Sequence, residues 1–214
     1  MRESILSPKS YETLRRERIS AAMDRFFAPG NHILDIGAGS GVFSMALLKQ
    51  GCQVTAIESD GNQVARLKKG LPPNPRLVII HDTFPPARLT SELQLGSVDG
   101  AVVLEVLEHS PNPEDILSSI ARILRPRGRL LISTANRYSW ISIIGMIKFF
   151  FLGRFLNPGN SRIWQFSSRQ IARMLKKTGF RIVYRGSLSR FPLFSFWPFN
   201  RAGTGLIFVA EKRP

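Results

Sequence analysis

The sequence predicts a doubly wound α/β fold, in which a mostly parallel sheet of about seven strands carries helices on both faces. Short apolar runs of strand length alternate with segments of helical periodicity, an order typical of parallel sheets. The apolar run 33–36 leads into three glycines at alternate positions, where a strand turns into a helix. Acids stand near the ends of the first four predicted strands, at Asp35, Glu58, Asp82 and Glu105. Because such sheets bind ligands at the carboxyl ends of their strands, these acids predict a site there.

The first predicted element is an amphipathic helix over residues 11–27. Its apolar residues lie roughly on one side, at Leu14, Ile19, Met23 and Phe26. The proline and glycine at 29–30 end it. We therefore divide the chain into an N-terminal helical cap, residues 1–30, and a single α/β domain, residues 31–214. The cap helix could cover an edge of the sheet or close over a ligand.

The glycine turn has the pattern Asp35-x-Gly37-x-Gly39-x-Gly41 and opens a helix over residues 42–50. Glycines let a ligand approach the main chain, and the free N–H groups of a new helix suit a carboxylate or phosphate. The turn matches neither a dinucleotide-binding loop nor a phosphate loop ending in Gly-Lys-Ser/Thr. The helix that follows should bury one face, formed by Val42, Met45, Ala46 and Leu48. A tight turn that binds nothing is the alternative.

The rest of the chain continues the alternation. Further strands are predicted over residues 53–58, 76–80, 101–104, 129–133, 181–184 and 205–211. Helices are predicted over residues 60–69, 113–124 and 169–178. Asn112, followed by a proline and two acids, is a typical capped helix start, and a Pro-Arg-Gly turn precedes the fifth strand. With the first strand, these segments complete the sheet.

The basic charge is concentrated in the C-terminal half of the chain. The 214 residues carry a formal net charge of +15. Residues 1–115 hold 12 basic and 14 acidic side chains, whereas residues 116–214 hold 18 basic side chains and one acid, Glu211. This asymmetry favours an anionic partner, either a membrane surface or a nucleic acid, over a merely well-solvated basic surface.

Cysteine content and the first residues predict a cytoplasmic protein. Cys52 is the only cysteine, which excludes a disulfide within the chain and a thiolate metal cluster. Residues 1–4 lack the apolar core of a signal peptide, so we expect a cytoplasmic location.

If residues 140–156 form a helix, apolar side chains would lie on nearly every face of it. A membrane-spanning helix needs about 20 apolar residues with few charges, and this stretch is shorter and carries Lys148 and Arg154. We interpret it as part of an insert, residues 138–164, that lies in a membrane interface or forms the lid of an apolar substrate pocket, with a buried helix as the alternative. Residues 191–199, with four phenylalanines and a tryptophan, should lie beside the same pocket or interface.

Three stretches together carry a family resemblance. They are the glycine turn at 35–41, the segment Val-Leu-Glu-Val-Leu-Glu-His at 103–109, and the segment 122–137. They resemble the class I S-adenosylmethionine-dependent methyltransferases, and look most like the ubiquinone-biosynthesis O-methyltransferase type of small-molecule enzyme. The resemblance implies a Rossmann-like sheet whose last strand runs antiparallel. In that family the turn is usually Pro-Gly-Gly and the strand end Thr-Pro-Asn-Arg, whereas this chain has Arg127 and Ala135.

The resemblance implies S-adenosylmethionine as cofactor. Glu58 stands at the distance from the glycine turn where such folds place a carboxylate for ribose hydroxyls. Asp82 matches an acid that often contacts the adenine amino group, and capping of its own turn is an equal alternative. The expected cofactor-binding residues are Asp35, Gly37, Ala38, Gly39, Gly41, Glu58, Ser59, Asp82, Thr83, Leu104 and Glu105.

His109 is the expected catalytic residue. Methyl transfer from a sulfonium is a direct displacement, and a hydroxyl nucleophile needs a base to remove its proton. Of the three histidines, only His109 follows the end of the fourth strand, beside the expected methyl group, and imidazole exchanges protons near neutral pH. A purely structural role in the loop before Asn112 is the alternative. Some relatives bind Mg²⁺ on a cluster such as Glu105, Glu108 and His109, but we assign no metal here.

The sequence therefore predicts a methyltransferase that acts at oxygen on a hydrophobic small molecule. Quinone-like or polyprenyl-phenol-like acceptors fit the resemblance and the apolar insert, and the basic half would attach the protein peripherally to the inner face of a membrane. An RNA methyltransferase is the alternative, although the aromatic residues cluster with aliphatic ones rather than standing singly as stacking platforms. The intact acids and glycines argue against a binding module without catalysis. The sequence leaves the oligomeric state open.

Overall fold

The computed structural model describes residues 11–86, 93–137, 165–188 and 205–214. The strands are β1 His32–Ile36, β2 Gln53–Glu58, β3 Leu77–His81, β4 Val98–Leu104, β5 Leu124–Ala135, β6 Phe180–Leu188 and β7 Gly205–Lys212. The helices are α1 Tyr11–Phe26, α2 Val42–Lys49, α3 Gly61–Gly70, α4 Pro113–Ile123 and α5 Ser168–Lys177, and a 3₁₀ turn covers Leu107–His109.

Within the described residues the strands form one seven-stranded sheet, in the order β3-β2-β1-β4-β5-β7-β6. β1 pairs in parallel with β2 and β4, β2 with β3, and β4 with β5. β7 lies antiparallel between β5 and β6. The strand order reverses direction at β1 and β4, and doubly wound folds bind ligands beyond the carboxyl ends at such a point. The predicted fold class, with its antiparallel last strand, is confirmed.

Helices cover both faces of the sheet because strand side chains alternate between two apolar cores. One core joins the sheet to α4 and α5, and includes Leu34, Val103, Ile120 and Leu175. The other joins the opposite face to α1, α2 and α3, and includes Ile33, Val102, Met23, Leu47 and Leu67. Helix α1 therefore shares a core with the sheet. The division of the chain into a cap and a domain at residue 30 stays a prediction.

The face by which α2 packs differs from the predicted one. Ser44, Leu47 and Leu48 are buried, whereas Val42 is 41% exposed. The Ser44 hydroxyl donates a hydrogen bond to the Asp35 carboxylate, with 2.6 Å between Oγ and Oδ2. A periodicity counted from apolar residues missed this face, because a polar contact helps to set the rotation of the helix.

Strands β4 and β5 are longer than predicted, and the predicted Pro-Arg-Gly turn lies inside β5. Val98 pairs with Leu124 and Gly100 with Arg129, so the residues between them bulge out of the ladder. Arg127 has a φ of 63°, in the left-handed region that favours glycine. A side chain in that region costs about 1–2 kcal/mol of backbone energy.

The two capped helix starts differ in their chemistry. Ser167 caps α5 in a reciprocal arrangement, since its Oγ accepts the Gln170 N–H at 3.2 Å and its own N–H donates to Gln170 Oε1 at 2.8 Å. Asn112 precedes α4 but makes no capping hydrogen bond through its side chain, and Pro113 begins the helix. The predicted first residue of α4 is confirmed, whereas the predicted capping by the Asn112 side chain is wrong.

Several predicted features lie outside the described residues, namely the start of the N-terminal cap, the insert 138–164 and the aromatic stretch 191–199. The insert follows Arg137, just after β5, and the aromatic stretch follows β6. Because β5 and β6 are both antiparallel to β7, they run in the same direction as each other and as β1 to β4. Both stretches therefore begin at the edge of the sheet where the parallel strands end. Among the described helices, none combines the length and apolar character needed to cross a membrane.

Candidate functional site

The carboxyl edge of the sheet brings together the four acids predicted to mark it. Asp35 is the penultimate residue of β1 and Glu58 the last residue of β2, while Asp82 and Glu105 come directly after β3 and β4. These four strands are consecutive in the sheet, so their ends are neighbours. This placement could be predicted because each acid is tied to its own strand end by local sequence.

The three loop glycines have φ values of 69°, 56° and 84°, for Gly37, Gly39 and Gly41. A Cβ added to Gly37 would lie 2.4 Å from Val106 Cγ2, and one added to Gly41 would lie 3.1 Å from Leu71 Cδ1. A Cβ on Gly39 would meet nothing within 4 Å. The first and last glycines therefore serve close packing as well as backbone geometry, whereas Gly39 leaves open space above the loop.

Glu58 is oriented by the backbone around it. Its Oε2 accepts the N–H of Gly39 at 2.8 Å, and its Oε1 accepts the N–H of Asp60 at 2.9 Å. Asp60 in turn caps α3 by accepting the Asn62 N–H at 2.7 Å. These bonds hold a half-buried carboxylate at the end of β2 and tie it to the glycine loop.

Asp35 is a buried carboxylate, with 2% of its surface exposed. The pKa of Asp35 is raised to about 6. Burial is the largest cause, the hydrogen bond from Ser44 acts in the opposite direction, and the charge of Glu58 adds to the increase. Among the described residues, no cation contributes to this balance. A buried carboxylate without a counter-ion is suited to a cationic group of a ligand.

We expect the contribution of Asp35 to the stability of the ligand-free protein to fall as the pH rises from about 4 to about 6, because Asp35 holds its proton more tightly when folded. Well below pH 3.8 the Asp35 carboxyl is protonated in both the folded and the unfolded state. Well above pH 6 its ionised form destabilises the fold by about 3 kcal/mol. Asp35→Asn should remove this contribution. Urea unfolding between pH 4 and pH 8 measures it, with the exposed Asp24→Asn as control. Equal pH slopes in the wild type and Asp35→Asn would contradict the expectation.

A cleft of about 200 Å³ lies between α1 and the glycine loop. Its lining includes Glu12, Arg15, Asp35, Gly37, Ala38, Gly39, Phe43 and Leu104, and we name it the helix-side cleft. Arg15 is only 9% exposed, and its guanidinium lies 5.4 Å from the centre of the Phe43 ring. The cleft therefore combines a buried cation with a buried carboxylate.

Arg15 connects α1 to the end of β4. Its Nε lies 2.9 Å from Glu105 Oε1 as an ion pair, although the N–H does not point along a hydrogen bond. Glu105 has a φ of 58°, and its N–H donates to the Ser133 carbonyl at 2.9 Å. A non-glycine residue in this conformation is typical of functional sites. Sequence reasoning predicted the helix but missed Arg15, because neighbouring arginines on α1 carry the same charge and are exposed.

A second cavity of about 250 Å³ lies on the other side of Gly37. Its lining includes Gly37, Ile57, Ser59, Asp82, Thr83, Phe84, Val106 and His109, and we name it the β3-side hollow. Asp82 also accepts the N–H of Thr83 at 2.7 Å, so it supports its own turn while lining the hollow. Gly41, Glu58 and Glu105 line neither cavity.

The three residues of the alternative metal cluster have different surroundings. His109 is exposed in the β3-side hollow, and Glu105 is paired with Arg15. Glu108 is 3% exposed; its carboxylate accepts the Thr134 hydroxyl at 3.1 Å and the Ala135 N–H at 3.4 Å, while burial raises its pKa. In the part of the chain that the structure describes, no group of three His, Cys, Asp or Glu side chains is placed to hold a metal ion.

The chain is similar in sequence to known methyltransferases. A family model described as a methyltransferase domain matches residues 11–185. The ubiquinone biosynthesis O-methyltransferase of Xanthomonas axonopodis pv. citri (strain 306) is 30% identical over 175 residues, which are 79% of this chain and 69% of that protein. The enzyme of the same name from Xylella fastidiosa (strain M23) is 31% identical over 180 residues, which are 81% and 70% of the two chains.

Solved structures agree on the fold. The magnesium protoporphyrin IX methyltransferase from Synechocystis PCC 6803, with bound S-adenosylhomocysteine, superposes with a TM-score of 0.69 at 20% identity over 94% of this chain and 83% of that one. A methyltransferase from Burkholderia thailandensis, bound to 1,6-didemethyltoxoflavin and S-adenosylhomocysteine, gives 0.65 at 20% identity over 100% and 94% of the two chains. The chain therefore belongs to the class I S-adenosylmethionine-dependent methyltransferases, and S-adenosylmethionine is its cofactor.

Proposed function

We propose that this methyltransferase acts on an oxygen atom of a hydrophobic, quinone-like or polyprenyl-phenol-like molecule, while attached to the inner face of a membrane. The observation that carries the proposal is where two apolar stretches of the sequence join the described fold. Both apolar stretches, 138–164 and 191–199, leave the described fold at the edge that holds the glycine loop and its two cavities. The names of the Xanthomonas and Xylella relatives, which are O-methyltransferases of ubiquinone biosynthesis, support the same acceptor class.

The two cavities suit opposite ends of the cofactor. In the helix-side cleft, Asp35 and Arg15 complement the ammonium and carboxylate groups of the methionine part. The β3-side hollow has apolar lining residues, including Ile57, that are complementary to the adenine ring. It also has the carboxylate of Asp82, which is complementary to the adenine amino group. Glu58 ends β2 and is suited to ribose hydroxyls. The residues present therefore fit the cofactor.

The cofactor supplies an electrophilic methyl group on a sulfonium. The chain must hold the acceptor oxygen in line and remove its proton. We assign the proton removal to His109, whose side chain is exposed and accessible to an acceptor. The turn that carries it is fixed by a hydrogen bond from the His109 N–H to the Val106 carbonyl at 3.0 Å.

A transfer assay with methyl-labelled S-adenosylmethionine tests the proposal. We expect label to pass to a polyprenyl phenol embedded in anionic vesicles and not to total RNA supplied in parallel. The carbon-13 chemical shift of the transferred methyl group identifies an oxygen-linked methyl group, because a methoxy carbon resonates apart from methyl carbons on nitrogen or on a ring carbon. Label in RNA without label in the phenol would replace this proposal with the RNA methyltransferase alternative.

The same vesicles test the membrane part. Binding should weaken with salt without vanishing, because salt screens the basic residues but leaves apolar insertion intact. Phe149→Ser with Phe151→Ser should reduce sedimentation with vesicles sharply while every charge is kept. The matched control is Val78→Ser with Leu95→Ser, which removes two exposed apolar side chains elsewhere. Equal sedimentation of both double variants would remove the insert from the proposal.

A further inference from the structure

A cleft of about 920 Å³ opens at the amino-terminal edge of the parallel strands, opposite the cofactor site. Asn31 precedes β1, Asp99 lies near the start of β4, and Lys212 ends the antiparallel β7, and all three line it. Strand β4 has seven residues, so about 20 Å separate the two edges. We name this cavity the basal cleft, and it is separate from the helix-side cleft and the β3-side hollow.

Basic side chains dominate the lining of the basal cleft. Two acids line it, Asp99 and Glu211, against six basic residues: Arg125, Arg127, Arg129, Arg181, Lys212 and Arg213. Cations that converge on a concave surface create a positive potential that concentrates anions. Six of the 18 basic residues of the C-terminal half therefore line this one cleft.

The two acids engage three of the arginines. Arg125 Nη1 lies 2.7 Å from Asp99 Oδ1. Arg181 Nη2 lies 2.9 Å from Glu211 Oε1, and Arg129 Nε lies 3.9 Å from Glu211 Oε2. Each acid is therefore already paired, and neither neutralises the remaining cations.

Arg127 and Arg213 form no ion pair with any residue that the structure describes. Arg127 is exposed and stands in the left-handed conformation, where the resembled family usually has glycine. A glycine at this position would relieve the backbone, yet the chain has an arginine there that lines the basal cleft. These two guanidinium groups are therefore available to a ligand.

We propose that the basal cleft binds a soluble anion with two or more phosphate groups. Guanidinium forks match phosphate oxygens in pairs, and a cleft of this size has room for more than one phosphate. Phe26, which also lines the cleft, has the guanidinium groups of Arg25 and Arg129 at 5.1 and 5.6 Å from its ring centre, so these cations compete with a nucleic-acid base for stacking on the ring. The apolar stretches leave from the opposite edge, so a membrane held there would face away from the cleft.

The test is calorimetry on the full chain saturated with S-adenosylhomocysteine, titrated with sodium tripolyphosphate. Prior saturation keeps phosphate away from the glycine loop. We expect binding at one site, weakened about ten- to hundredfold in an Arg127→Gly, Arg213→Ala double variant. A matched double variant, Arg173→Ala with Lys176→Ala, removes two exposed cations of α5 that do not line the cleft, and should bind as the wild type does.

The Arg127→Gly single variant separates binding from folding. Glycine relieves the left-handed backbone, so its thermal midpoint should equal or exceed that of the wild type while its affinity falls. The proposal is overturned by any of three results. These are no heat with tripolyphosphate, an equal loss of affinity in the α5 control, or capture of phosphatidylglycerol vesicles or RNA through Arg127 and Arg213 without binding of tripolyphosphate.

Discussion

Replacing Glu58 with alanine is expected to weaken the binding of S-adenosylmethionine about 100-fold. The carboxylate is held by the N–H groups of Gly39 and Asp60 at 2.8 and 2.9 Å, and so stands oriented before any ligand arrives. A hydrogen bond to a charged group contributes about 1.5–3 kcal/mol, and each 1.4 kcal/mol is a factor of ten in affinity. The substitution also frees the Gly39 N–H and loosens the loop.

Gly39→Arg is the steric counterpart of that variant, and should abolish measurable binding. A Cβ at this position meets nothing within 4 Å, so a long side chain would enter the open space above the loop. Gly39→Ala is the matched control, because it carries the same left-handed backbone without the bulk.

Calorimetry with S-adenosylhomocysteine measures all three variants, with thermal unfolding as the check on folding. Wild-type affinity in both Glu58→Ala and Gly39→Arg would show that the cofactor does not bind at the glycine loop.

A second large effect is expected from His109→Ala, which should lower turnover about 10²- to 10⁴-fold, the usual contribution of a general base. The structure adds a competing possibility, because His109 shares the β3-side hollow with Ser59 and Asp82. If the ring contacts bound cofactor instead, the loss should appear in cofactor affinity. Initial rates at saturating S-adenosylmethionine, together with calorimetry, separate the two.

The catalytic assignment requires a fall in kcat with an unchanged dissociation constant of the cofactor. Ser110→Ala is the neighbouring control in the same hollow, and should keep most turnover. An His109→Ala enzyme that works at the full rate, or that is rescued entirely by more cofactor, would leave His109 without a role as base.

Local patterns were enough to predict the architecture and one edge of the site. Strand and helix periodicity and the glycine turn depend on residues close together in the chain, and parallel strands bring their carboxyl ends to one edge. Asp35, Glu58, Asp82 and Glu105 were located there by sequence for that reason, and the structure places them there. Whether each contacts the cofactor stays a prediction for the variants above.

Contacts between distant segments decided the rest. The placement of Arg15 beside Glu105 joins residues 90 positions apart, and depends on how α1 packs against the sheet. The basal cleft likewise joins segments before β1, at the starts of β4 and β5, and at the end of β7. The sequence by itself determined the order of elements and the acids at their ends, because periodicity and turn chemistry are local. Only the tertiary structure decided which charges face each other, since the rotation of a packed helix and the register of β7 are set by the whole core.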